Sequence, residues 1–176
     1  MTTLLNHPVL LVFLFLSFLA TVFVYLIPDF VSDNLVISGN LNVGTFCGTF
    51  VHMNWGHWLG NMLFLIPVWI YADKLAGKPF ITIIVLLNLL LTGIYGLISG
   101  QRLCGLSGVV FMLMGLTAII GNWLMFGFAL ALFIGEFGFL GGNDKYSHGA
   151  HIIFFVLGIG IGIAKIFFLP PSPIYC

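Results

Sequence analysis

The chain has 176 residues, of which 61% are hydrophobic and 6% charged, with a formal net charge of zero and a mean hydropathy of +1.20. A soluble domain carries about 25% charged residues, so no water-facing surface can be built here. The five basic residues, Lys74, Lys78, Arg102, Lys145 and Lys165, stand singly or in a loose pair and offer nothing to hold nucleic acid. A crossing takes about 20 apolar residues, so the length allows about six spans with short connections. The expectation is a single all-α integral membrane domain over residues 1–176, with its core at 9–169 and no appended soluble domain.

In chain order, the apolar run from Val9 to Ile27 follows a start without Lys or Arg. It exceeds a signal-peptide core and reads as a retained first span. The stretch from Pro28 to Asn54 carries Leu35, Val43, Phe46, Phe50 and Val51. It is too apolar for disorder and too polar to cross, so it is expected to fold against or partly within the membrane. Further helices are expected near 55–72, 79–99, 105–120, 122–140 and 149–169, the 105–120 helix being short for a crossing. Turn chemistry separates them at Asp73 to Pro79, Ser99 to Arg102, Gly121-Asn122 and Gly141 to Asp144. Basic residues favour the cytoplasmic side. With both termini inside, the orientation expected, Lys74, Lys78 and Lys165 lie inside and Arg102 and Lys145 outside. Cys47, Cys104 and Cys176 are too few for a metal cluster or disulfide framework and read as small packing residues, with Cys47 and Cys104 the one pair on the same side.

An even number of spans makes the second, fourth and sixth helices start on one face of the membrane. Each opens with a polar residue: His57 and Asn61, then Ser107, then His151. All four fall within about two turns of that face. His57 and Asn61 share a helical side, and Gly158 and Gly162 lie below His151 on its side. Gly105, Gly108 and Gly115 are expected to do the same for the helix of Ser107, since glycines let neighbouring helices approach closely. A serine hydroxyl needs a base, and histidine suits that task near neutral pH. Ser107 is therefore the candidate nucleophile and His151 its base. His57, Asn61 and the Ser107 backbone N–H are candidate donors to an oxyanion. Phe111, one turn below Ser107, is placed to pack on the imidazole. Asp144 lies in a loop, so a dyad is expected rather than a triad.

These residues carry a resemblance. Gly105-Leu106-Ser107-Gly108-Val109-Val110 resembles the nucleophile motif of rhomboid intramembrane serine proteases, and Gly149-Ala150-His151-Ile152 resembles the start of their last core helix. His52, His57, Asn61 and Met62 resemble the pattern on their second helix. The resemblance implies cleavage of single-span membrane proteins near the extracytoplasmic face, with neither metal nor organic cofactor. It also implies substrate entry between the second and fifth helices, here near Phe64 and Trp69 on one side and Trp123 to Phe139 on the other. A rhombosortase-type subgroup fits the small size. The chain departs from the family pattern where Val43-Gly44-Thr45-Phe46 replaces the usual Trp-Arg pair, and where Phe111 replaces a tyrosine.

Taken singly, Ser107 and His151 read as packing residues; their shared level and order make the set. His52 reads as a loop-tethering hydrogen-bonder and His7 as an interfacial residue. His148 adds an ionisable group beside the site. Glu136, within a helix, is a candidate for gating or substrate contact. Rival readings are a catalytically inactive rhomboid-like protein that binds membrane proteins, and a transporter or proton pathway using the same histidines. The latter does not explain a serine between glycines opposite a histidine. The histidines are not spaced for haem or zinc.

Overall fold

Proline and glycine punctuate the chain into helices. Pro8 and Pro28 each occupy a first helical turn, where the missing N–H has no carbonyl to serve. Asn54 caps the next long helix by accepting the His57 N–H at 2.8 Å. The computed structural model describes residues 4–122 and 148–169, with 124, 127, 128, 130, 131 and 134 of the stretch between. Its helices are α1 (Pro8–Leu26), α2 (Pro28–Asn34), α3 (Gly44–Cys47), α4 (Trp55–Ala76), α5 (Lys78–Ser99), α6 (Ser107–Ile120) and α7 (His148–Phe168). No strand occurs among the described residues; Ile37 and Leu103 form an isolated antiparallel bridge.

Four of these helices, α1, α4, α5 and α7, are long and apolar enough to cross a membrane. Their outer faces expose Phe15, Leu63, Leu90, Ile98, Val156 and Phe167. Apolar area on that scale suits hydrocarbon and not water. The protein is all-helical and built to pass a membrane several times. Helix α6 has 14 residues, about 21 Å of rise, and does not cross alone. Every residue from Gly108 to Ala118 on it is buried, which makes it the central element. The expected 122–140 span falls mostly outside the described residues; those described between 124 and 134 are helical.

Helix α6 packs most closely on α7, and glycine is the reason. A Cβ on Gly115 would sit 2.1 Å from the Phe155 carbonyl oxygen, and one on Gly158 would sit 2.0 Å from that of Met112. The two backbones therefore touch reciprocally, an approach only hydrogen side chains permit. Gly162 extends the contact against Ile119. Helix α1 docks on α4 along its length: Phe13 meets Trp69 edge-on at 5.4 Å, and the Trp58 indole donates to Ser17 Oγ at 3.1 Å.

Two sequence expectations change at the far end of α4. The helix runs to Ala76 instead of stopping near residue 72, so Asp73 enters its last turn and is buried. Its carboxylate meets His7 Nδ1 at 2.5 Å. His7 is 3% exposed, a buried tether between α1 and α4 and not an interfacial residue. Trp69, expected near a lateral entrance, is 1% exposed and belongs to the core.

The glycine contact yields a sharp comparison. Gly158→Leu should destabilise the protein by about 3 kcal/mol through overpacking. Gly160→Ala, where a Cβ meets nothing within 4 Å, should leave stability unchanged or slightly raised. Thermal melting in detergent checks this; equal melting temperatures for the two variants would contradict the packing described.

Candidate active site

The site begins with the non-helical segment 100–106, which enters the protein interior ahead of α6. Leu103, Gly105 and Leu106 are buried there, and their backbone groups need partners in place of water. The segment 35–53 supplies them. Ile37 and Leu103 exchange both N–H···O bonds at 3.0 Å, and the Gly105 N–H reaches the Gly48 carbonyl at 3.4 Å. The Leu106 N–H donates to His52 Nε2 at 3.3 Å, while His52 Nδ1–H donates to the Phe50 carbonyl at 3.0 Å. The folded stretch between α1 and α4 is thus the clamp that holds the turn before Ser107. Gly93 and Gly96 of α5 receive it: a Cβ on either would strike the Thr45 carbonyl oxygen at 2.5 Å or the Ile37 side chain at 2.2 Å.

His52 makes this clamp only as a neutral ring, with one nitrogen donating and the other accepting. Its environment enforces that state. Removal from water, helped by the neighbouring His57, drives its pKa from 6.5 to about 3, against the pull of the Phe50 carbonyl.

Gly105 turns the chain into α6 with φ +97°, a left-handed conformation that side chains resist. A Cβ there would also sit 2.8 Å from the His57 ring and 3.4 Å from the Asn61 amide nitrogen. Gly105 was expected on the helix face; it lies in the turn instead, and its role is to let α4's polar pair abut the loop of the nucleophile. Asn61 Nδ2 donates to the His57 carbonyl at 3.1 Å. The His52 and His57 rings meet edge-on at 5.0 Å.

Ser107 opens α6 and His151 stands in the first turn of α7. His151 Nε2 lies 2.9 Å from Ser107 Oγ. The Phe111 ring stacks on the imidazole at 4.5 Å and 17°. Gly108, next to Ser107, faces the Phe154 ring; a Cβ would lie 3.2 Å from it. A cavity of about 960 Å³ opens over the pair, with Asn54, Arg102, Gly105, Ser107 and His151 on its wall. His57 and Asn61 are not among its lining residues; they stand against Gly105. His148 opens α7, one turn before His151. Glu136, Asp144, Lys145, Trp123 and Phe139 lie outside the described residues.

Cys47 and Cys104 are both free thiols. Cys47 Sγ donates to the Val43 carbonyl at 3.1 Å. Cys104 lines the cavity, but burial raises its pKa to about 11 despite Arg102 nearby, so it is no nucleophile.

Three polar residues escaped the sequence reading: Asp73, and on α5 Asn88 and Thr92, which are 0% and 6% exposed. The signal for the α5 pair was an Asn and a Thr four residues apart within an apolar span. No protein-family model matches this sequence, and no curated protein matches it.

The His52 clamp has a pH signature. Between pH 6.5 and about 3 the unfolded chain takes up a proton that the folded ring refuses. Its contribution is therefore complete above pH 6.5 and is lost as the pH falls, by at most about 1.4 kcal/mol per unit. His52→Gln removes the titration. Its melting temperature should fall less than the wild type's between about pH 7 and about pH 4.5; parallel curves would show that His52 is not the acid-sensitive group.

Proposed function

We propose that this protein is an intramembrane serine endopeptidase of the rhomboid kind. It would span the membrane six times with both termini cytoplasmic and cleave single-span membrane proteins near the extracytoplasmic face. The observation that carries the reading is the 2.9 Å contact between Ser107 Oγ and His151 Nε2, with Phe111 stacked on the imidazole, beneath a cavity large enough for an extended peptide and water.

The chemistry follows from those atoms. As Ser107 Oγ attacks the scissile carbonyl carbon, its proton passes to His151 Nε2. The carbonyl oxygen becomes an oxyanion. The Ser107 N–H, in the first turn of α6 where amides have no intrahelical acceptor, is one donor to it. Asn61 and His57, gathered at Gly105, are the side-chain donors, which a bound substrate would draw toward the cavity. The intermediate collapses, the C–N bond breaks and His151 returns the proton to the leaving amine. Water entering through the cavity then attacks the acyl-enzyme with His151 again as base. Phe111 holds the imidazole plane, a positioning task that an aromatic ring performs without introducing a charge. The dyad needs neither a metal nor an organic cofactor.

Purified protein in detergent, assayed on a generic single-span substrate, tests this. Ser107→Ala and His151→Ala should each lose at least about 10³-fold in kcat. Asn61→Ala should lose about 10²-fold, and Phe111→Ala about tenfold through a loosened imidazole. A folded wild-type protein that cleaves no substrate would instead favour a non-catalytic protein that binds membrane segments.

A further inference from the structure

We propose that Asn88, in the middle of α5, is a positioning residue that fixes the first turn of α6 and so holds Ser107 Oγ against His151. This rests on the protease reading above. Asn88 is fully buried, and its Nδ2 donates to the Gly108 carbonyl at 3.1 Å, with Met112 Sδ at 3.7 Å. Gly108 immediately follows Ser107.

A primary amide inside an apolar span is costly unless its hydrogen bonds are made. Here they are made to the helix that bears the nucleophile. Thr92, one turn along α5, completes the arrangement: its hydroxyl donates to the Asn88 carbonyl at 2.8 Å and lies 3.4 Å from Asn88 Oδ1. With Oδ1 facing Thr92, the amide NH₂ is turned toward Gly108. Thr92 also lines the cavity that holds Ser107 and His151.

Gly108 is gripped from two sides. A Cβ there would lie 3.2 Å from the Phe154 ring and 3.4 Å from Asn88 Oδ1. Phe154 stands one turn below His151 on α7. The helix of the base therefore presses on Gly108 through Phe154, while α5 holds the same residue by a directional hydrogen bond. Packing alone resists approach but not rotation or sliding of α6. The Asn88 bond adds a directional restraint on the far side of Ser107 from the one that His52 places on Leu106, and a shift of about 1 Å at the reacting atoms costs about 10²-fold in rate.

The test uses the full chain in detergent with Asn88→Leu, which keeps the bulk and removes the donor, and Asn88→Asp. A fluorophosphonate gives the count of competent sites and the inactivation rate; a single-span substrate gives kcat and KM. Asn88→Leu should reach the wild-type count of sites on long labelling, with KM within about twofold, while kcat and inactivation rate fall together by about 10- to 100-fold. In Asn88→Asp the buried carboxyl is held neutral by its apolar surroundings and can still donate to Gly108. Asn88→Asp should therefore keep more of the wild-type kcat and inactivation rate than Asn88→Leu.

An Asn88→Leu protein with wild-type kcat and labelling rate overturns the proposal. So does one that loses sites and thermal stability while kcat per site is unchanged, since that is a merely structural role. Should Asn88→Leu fail to fold, Asn88→Ala takes its place, and wild-type kcat and labelling rate in that variant overturn the proposal. A wild-type protein that neither labels nor cleaves overturns the protease reading, and this proposal with it.

Discussion

An irregular backbone segment can enter an apolar interior only if its N–H and C=O groups find partners, because an unsatisfied group there costs several kcal/mol. The end of the turn before α6, from Leu103 to Leu106, is such a segment, and the position of Ser107 depends on how it is satisfied. Ile37, Gly48 and His52 each hold one point of it. The stretch between α1 and α4 thus has a defined purpose. Ile37 and Thr45 pack it against α5, and Val36 and Val51 pack it against Val31 of α2 and Ala20 and Val24 of α1, so that its own polar groups can be offered to the turn.

The second constraint is distance between helices. A hydroxyl and an imidazole meet at hydrogen-bond range only if their helices lie close, and the Gly115 and Gly158 contact brings α6 and α7 to backbone touch. Once that spacing is set, Ser107 and His151 meet at the mouth of the groove, and Phe111, one turn deeper, falls flat on the ring. The two restraints act on the same short helix from opposite directions: hydrogen bonds at its entry, glycine packing along its flank. The His7 and Asp73 pair anchors α1 to the other end of α4, away from the helix start that bears His57 and Asn61.

Much of this was legible in the sequence because it follows periodicity. The apolar runs marked the four long helices, and the shared level of Ser107 and His151 followed from counting helix starts. Gly158 and Gly162 were readable as a groove from their offsets below His151. What was not legible required pairing across long separations. Nothing local to His7 says that it will meet a residue 66 positions away, nor that α4 will run four residues beyond its expected end to bury that partner. Trp69 was expected near a lateral entrance, yet Phe13 covers it. Gly105 reads as a helix residue by spacing, and only the φ of the built turn places it outside. Asn88 passed unnoticed in its apolar span, because its meaning comes from Gly108 on a neighbouring helix.

The central claim is that Ser107 is a nucleophile made reactive by His151. Its most direct test is to treat the folded wild-type protein with a fluorophosphonate and map the adduct by mass spectrometry of its peptides. The account predicts a single adduct on Ser107 that disappears in His151→Ala while that variant's melting temperature is retained. An adduct on another serine, or equal modification of Ser107 in the presence and absence of the His151 imidazole, would contradict it.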